Sequence, residues 1–147
     1  MTRALAILMM AAGLPLAPAF AAEFRSVGSP AAILYDGPSL QARRLWVAPR
    51  LMPLEVLATV GQWIKVRDVS GDAAWIERAE LSAQRTVVSR VNAPVRAAGQ
   101  EGAEVLFVAE RGIALELVDP APVFGWIRVR HRDGSSGWVR SAEVWGL

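Results

Sequence analysis

The chain contains no cysteine. That single absence removes disulfides, thiolate metal sites, a cysteine nucleophile and attachment as a lipoprotein. Histidine, lysine and tyrosine each occur once, as His131, Lys65 and Tyr35. Beyond the first 21 residues no window of 11 or more carries a helical apolar stripe, and there is neither a second membrane segment nor a low-complexity tail. Net charge is small, with 16 basic side chains against 14 acidic ones. The high isoelectric point, about 9.9, reflects arginines that scarcely titrate rather than a strong positive field. No basic run is present, so nucleic acid is not an expected partner.

What is present begins with an export signal, expected over residues 1–21. Arg3 supplies a thin positive start, and Ala4 to Phe20 is apolar but interrupted by Gly13, Pro15 and Pro18. A spanning helix needs about 20 uninterrupted apolar residues, so this stretch reads as a cleavable leader. Ala19-Phe20-Ala21 is the small-x-small pattern that signal peptidase accepts, which places cleavage after Ala21 and the protein in the periplasm. Loss of Arg3 leaves 16 − 1 = 15 basic groups against 14 acidic ones. No stable membrane insertion is expected after cleavage.

The remainder says the same thing twice. The run Leu45–Leu57, LWVAPRLMPLEVL, returns 61 residues later as LFVAERGIALELV, with six of 13 positions identical. The run Trp63–Leu81 returns 63 residues later over Trp126–Val144, with eight of 19 identical. This spacing exceeds the roughly 20–50-residue period of solenoids and propellers, so it describes two duplicated domains, expected over 23–82 and 84–147. Each copy is a control on the other: a residue kept in both belongs to architecture.

Each copy reads as short strands. In the first these are Ala32–Tyr35, Leu45–Ala48, Pro53–Leu57, Trp63–Arg67 and Ala74–Glu77, separated by Asp36-Gly-Pro-Ser39, Gly61-Gln62 and Ser70-Gly-Asp72. The second repeats the series, with Asp133-Gly134-Ser135 as its clearest hairpin signal. About five strands in some 60 residues should close into a small barrel, which removes exposed edges. The short connection Ser82–Arg85 contains neither Gly nor Pro and should leave the barrels touching.

Each copy resembles the bacterial SH3 (SH3b) domain, whose pattern is an N-V-R-x-G-P-S opening, a middle x-G-x-x-V-x-V strand and a closing G-W-x-x-V…G-x-x-G-W-V. The second copy carries Gly125-Trp-Ile-Arg-Val-Arg130 and Asp133-Gly-Ser-Ser-Gly-Trp-Val139, with Val95-Arg96 and Arg111-Gly112 earlier. The first carries Gly37-Pro-Ser39, Trp63-Ile-Lys-Val-Arg67 and Trp75-Ile76. It departs at Leu34-Tyr35, where Val-Arg is usual, and at Ala74, where glycine is usual. The second departs at Ala98-Gly99-Gln100, where Gly-Pro-Ser is usual. The resemblance implies an all-β chain of two tandem small SH3-like barrels, acting as a binding module of the bacterial envelope. Family members take peptidoglycan peptides in some proteins and protein partners in others. Tyr35, in Leu34-Tyr-Asp-Gly37, is similar to the A-L-Y-D-Y tyrosine of eukaryotic SH3 domains, which lines a peptide groove.

Strand alternation sharpens this. In Trp126–Arg130, Trp126, Arg128 and Arg130 share one face, and Ile127 and Val129 the other. A three-residue Asp133–Ser135 loop would pair Val139 with Val129 and bring Trp138 and Arg140 to the outer face; a two-residue loop would exchange faces. The first copy likewise sets Trp63, Lys65, Arg67, Trp75 and Glu77 against Ile64, Val66 and Ile76. Two readings of this face stay open. Indole and guanidinium groups stack at about 0.5–1 kcal/mol when exposed and cover apolar surface, so the face is structural or an inter-barrel contact. Alternatively it is a shallow cationic groove, because arginine pairs with carboxylate while tryptophan covers the stem. On that reading the ligand-binding residues are Trp126, Arg128, Arg130, Trp138, Arg140, Trp63, Arg67, Trp75 and Tyr35. The second copy is favoured, since Arg128, Arg130, Arg132 and Arg140 gather there.

No catalytic constellation stands out. His131 corresponds to Asp68 in the first copy and sits between arginines beside a turn, which reads as solvated. Ser135 and Ser136 lie near it, but a hairpin loop offers no preformed oxyanion hole. Asp68/Asp72 and Glu77/Glu80 are too scattered for a metal site. Trp145 has no counterpart in the first copy, and reads as a seal for the barrel bottom or the domain contact. The loop Asp119–Pro122 reads as ordinary turn chemistry. No cofactor and no metal are expected. The partner is a cell-wall peptide, or alternatively an envelope protein to which the chain docks as an adaptor.

Overall fold

The computed structural model of the protein describes residues 21–147. The expected leader lies outside the described residues, apart from Ala21. Barrel one is built from β1 (Phe24–Val27), β2 (Ala31–Tyr35), β3 (Arg44–Pro49), β4 (Pro53–Val60), β5 (Trp63–Arg67), β6 (Ala73–Glu77) and β7 (Leu81–Ser82). Barrel two repeats them as β8 (Thr86–Ser89), β9 (Ala93–Arg96), β10 (Val105–Ala109), β11 (Ala114–Leu117), β12 (Trp126–Arg130), β13 (Ser136–Arg140) and β14 (Val144–Trp145). The two antiparallel sheets have one topology, β3-β2-β6-β5-β4-β1-β7 and β10-β9-β13-β12-β11-β8-β14. The architecture is therefore all-β, two tandem SH3-like barrels. Each sheet has seven strands rather than about five. The unforeseen ones include β1 and β8, whose mixed runs FRSV and TVVS carry no clean alternation.

The cores match position for position. Leu34, Leu54, Ile64, Val66 and Ile76 pack in barrel one; Val95, Leu115, Ile127, Val129 and Val139 take the equivalent places in barrel two. Burying each such side chain is worth about 1.5–3 kcal/mol. The β12–β13 register differs from expectation. Val139 faces Ile127, not Val129, and Arg130 faces Ser136, leaving a five-residue loop over 131–135. Because the slip is by two, every side chain keeps its predicted face.

The barrels touch, as the short connection requires. Trp145 meets Phe24 edge to face with centroids 5.0 Å apart, so it belongs to the contact between barrels. The Arg85 guanidinium lies 5.8 Å from the Phe24 ring centre and donates from Nη2 to the Gly146 carbonyl at 2.9 Å. Ser26 Oγ donates to the Gln84 carbonyl at 2.8 Å. All four residues of β8 are buried, because one face looks into its own core and the other toward barrel one.

Candidate binding face on the second barrel

The alternation of β12 and β13 does send the aliphatic rows inward and the tryptophan–arginine row outward. Ile127, Val129 and Val139 are fully buried. Arg128 and Arg130 are exposed, and Trp138, Trp63 and Trp75 half-buried. Trp126 departs from the expectation of an open indole: it is only 6% exposed. It has not sunk into the aliphatic core; its neighbours cover it from outside. The Arg140 guanidinium lies 4.9 Å from its ring centre. From the other side the backbone of Gly99 closes down, so near that a Cβ there would stand 3.1 Å from Trp126 Cβ and 3.3 Å from Trp138 Cε3.

The arginines sort into two kinds. Arg67 donates from Nε and Nη2 to Glu55 Oε2 at 2.9 and 2.7 Å, and Arg130 does the same to Glu116 Oε2 at 2.8 and 2.6 Å. Both are cross-strand pairs at the same place in each barrel, between β5 and β4 and between β12 and β11. Being kept in both copies and already paired, Arg67 and Arg130 belong to the scaffold. Arg128 and Arg132 have no side-chain hydrogen bond or ion pair among the described residues.

Arg140 is different, and it brings in two residues that the strand pattern did not select. Arg96, at the end of β9, lies across from Trp138 of β13. Its Nη1 donates to the Ala103 carbonyl at 2.9 Å, and its Nη2 stands 3.7 Å from Glu101 Oε2. Arg140 Nη2 contacts the other oxygen, Glu101 Oε1. One carboxylate is thus held by two guanidiniums, one of them stacked on an indole. Pro94 and Glu143 complete the shallow depression around this cluster. The expected gathering of Arg128, Arg130, Arg132 and Arg140 is replaced by convergence of Arg96 and Arg140. The available signal lay in aligning the copies: Tyr35, Leu40 and Glu77 become Arg96, Glu101 and Arg140 together.

In barrel one the corresponding place is neutral to acidic. Tyr35 is buried, stacked edge to face on Trp63 at 5.4 Å and paired in register with Trp75. Glu77 and Glu80 border the hollow beside it, and Ser29 donates its hydroxyl to Glu80. The structure brings Tyr35, Trp63 and Trp75 together, but Arg67 is turned to Glu55 and no pair of guanidiniums converges on a carboxylate there among the described residues.

A second cleft of about 570 Å³ opens on barrel two between β10 and the 131–135 loop, lined by Phe107, Val108, Ile113, His131 and Ser135. His131 is half-buried rather than solvated, with its ring 6.0 Å from Phe107 and its Nδ1 3.1 Å from Asp133 Oδ2. The Ser135 amide, donating to Asp133 Oδ1 at 2.8 Å, holds that carboxyl below its usual range, helped by the Ser135 hydroxyl and by His131. Among the described residues no group of three or more His, Cys, Asp or Glu side chains is placed to hold a metal ion. No helix among them is long and apolar enough to cross a membrane.

One further feature escaped the strand reading. Val123 and Trp126 exchange backbone hydrogen bonds at 2.8 and 3.0 Å around a two-residue turn of Phe124 and Gly125. Both turn residues have positive φ, 48° and 83°, and the Phe124 side chain is 99% exposed. This is the left-handed conformation that primed hairpin turns require and that asparagine or glycine normally fills.

The sequence profile described as the bacterial SH3 domain matches residues 28–83 and again residues 89–146. The chain belongs to the bacterial SH3 domain family, a family of binding modules, and carries two copies in tandem. No curated protein matches it. Among solved structures it is similar to NlpC2 from Trichomonas vaginalis, at 14% identity and TM-score 0.39, over 85% of this chain and 48% of that one. NlpC1 from the same organism gives 13% and 0.39 over 92% and 50%. An NlpC/P60 family protein from Bacillus cereus ATCC 10987 gives 13% and 0.39 over 84% and 56%. The chain spans about half the length of these proteins.

Proposed function

We propose that the chain is an exported, periplasmic and non-enzymatic binding protein whose second barrel grips carboxylate-bearing peptides of the cell wall. The observation that carries this reading is the convergence of Arg96 and Arg140 on one carboxylate above Trp126. Charge-assisted pairing of guanidinium with carboxylate supplies strength and direction, while an indole flat against the arginine holds it in place. Barrel one, with Tyr35 and Glu77 in the matching positions, serves as scaffold and orienting partner. The test is retention of the protein without its leader on purified peptidoglycan at low salt. Arg140→Ala is expected to cut retention about tenfold or more, the range for losing one charge-assisted contact of roughly 1.5–3 kcal/mol. Arg130→Ala, which opens only the scaffold pair with Glu116, is expected to leave retention unchanged. Equal loss in both variants, or no retention of the parent protein, removes the reading.

A second reading, docking onto an envelope protein, rests on Phe124. A fully exposed aromatic in a strained turn is the kind of feature held for contact with another molecule. In-cell cross-linking through position 124 that captures a protein after wall digestion favours this adaptor role.

A further inference from the structure

The Arg96–Arg140 fork is not empty: the chain's own Glu101 fills it. Glu101 sits on the loop between β9 and β10, whose tip reads Gly99-Gln-Glu-Gly102. The loop is closed at its base by the Ala97 amide donating to the Glu104 carbonyl at 2.9 Å, and its tip is a turn in which the Gln100 amide donates to the Ala98 carbonyl at 2.9 Å and the Ala103 amide to the Gln100 carbonyl at 3.1 Å. The same loop in barrel one has the same base, from the Asp36 amide to the Arg43 carbonyl at 3.0 Å, but its tip reads Pro38-Ser-Leu-Gln41. Leu40 occupies the place of Glu101, and there is no arginine at 35 or 77 to meet an acid. The acid, both cations and the flanking glycines occur together in one copy and are absent together from the other. The ion-paired loop is thus a feature of barrel two alone among the described residues.

The two sides of the contact are also unequally fixed. The Arg96 side chain is 20% exposed and tied to the Ala103 carbonyl, and Arg140 is stacked on Trp126. The Glu101 side chain is 61% exposed and has no other side-chain partner among the described residues. The fork is pre-formed, and its occupant is loosely held.

We infer that Glu101 is an internal stand-in for the ligand: its carboxylate neutralises the pre-formed fork in the free protein and swings out when a carboxylate of the bound peptide takes its place. This rests on the carboxylate-binding reading of the same face and adds to it a competition within the chain. An exposed ion pair is worth about 0–1 kcal/mol, so the stand-in lowers affinity by no more than about fivefold and is easily displaced. Its removal therefore tightens binding, whereas removal of either arginine abolishes it.

The experiment uses glutarate, a small dicarboxylate, titrated into the protein while the arginine Nε–H and tryptophan indole N–H signals are followed by NMR. Glu101→Gln keeps the size of the side chain and removes its charge. It is expected to bind glutarate about three- to fivefold more tightly than the parent, from the same ion-pair range. In the parent, glutarate is expected to shift the Arg140 and Trp126 signals; Arg96→Ala and Arg140→Ala are expected to show no shift. Equal or weaker binding by Glu101→Gln overturns the stand-in role, and so does absence of binding in every variant. Retention on peptidoglycan separates the two levels: glutarate binding with the expected ranking, but no wall retention, leaves the stand-in standing and removes the cell wall as ligand.

Discussion

Barrel one and barrel two are the same scaffold carrying opposite chemistry. Leu54 and Leu115, Ile64 and Ile127, Val66 and Val129 hold equivalent places in the two cores. The Arg67–Glu55 and Arg130–Glu116 pairs are kept as well. Above that common frame, Tyr35, Leu40 and Glu77 of one rim stand where Arg96, Glu101 and Arg140 stand in the other. What survives duplication is the packing that a 60-residue barrel cannot do without. What has diverged is the surface, and among the described residues only barrel two brings two guanidiniums onto one carboxylate beside an indole. A charged cluster shared by both copies would have been uninformative.

The comparison can be broken hardest in the cores. Leu54→Ala and Leu115→Ala remove equivalent, fully buried side chains, and each is expected to destabilise its own barrel by about 2–5 kcal/mol in urea titrations read separately for each barrel. Markedly unequal costs would show that the two cores are not equivalent in packing. A smaller and asymmetric effect is expected one residue before the equivalent tryptophans Trp75 and Trp138. Gly137 lies under β9 so closely that a Cβ would stand 2.6 Å from the Arg96 carbonyl oxygen and 2.8 Å from Val95 Cγ1. Barrel one has Ala74 in that position, buried and accommodated. Gly137→Ala should therefore cost about 1–3 kcal/mol by overpacking, and should disturb Arg96 and with it ligand retention. If it is neutral, the strands of barrel two give as readily as those of barrel one.

The smallest effects sharpen the comparison at two turns. Leu51 has φ 70° where barrel two has Gly112 at 87°, and Phe124 has φ 48° where barrel one has Gly61 at 57°. Each barrel thus strains one non-glycine residue at a turn that its twin makes with glycine. Leu51→Gly and Phe124→Gly are each expected to raise stability by about 0.5–1 kcal/mol, the left-handed penalty less the entropy that glycine loses on folding. A thermal melt of each variant checks this. A fall in stability for Phe124→Gly would mean that the phenyl ring makes an intramolecular contact.

The faces were legible in the sequence because a strand's period of two is insensitive to a slip of two. Ile127 and Val139 point inward whether or not Val129 is the partner of Val139. The register itself was not legible, since it depends on whether three or five residues close the hairpin, and Asp133-Gly134 signals a turn without fixing its ends. Burial of Trp126 could not be read from β12, because Gly99 lies on a loop distant in the chain and Arg140 comes opposite Trp126 only in the observed register. The same non-local assembly hid the pairing of Arg140 with Glu101. Yet the clue was present once the copies were aligned by 61 and 63 residues: three positions change sign or polarity together. The β1 and β8 strands were missed for another reason. Their residues are buried partly against the neighbouring barrel, so they show no half-wet, half-dry alternation.

Gly146 sits where the barrels meet. A Cβ on it would come within 2.8 Å of the Thr86 carbonyl oxygen and 3.2 Å of Pro53 Cβ, so any larger residue would act as a wedge in the joint. With that seam packed so closely, a bulkier side chain at 146 is expected to pry the barrels apart while leaving the Arg96–Arg140 fork, built wholly within barrel two, unchanged.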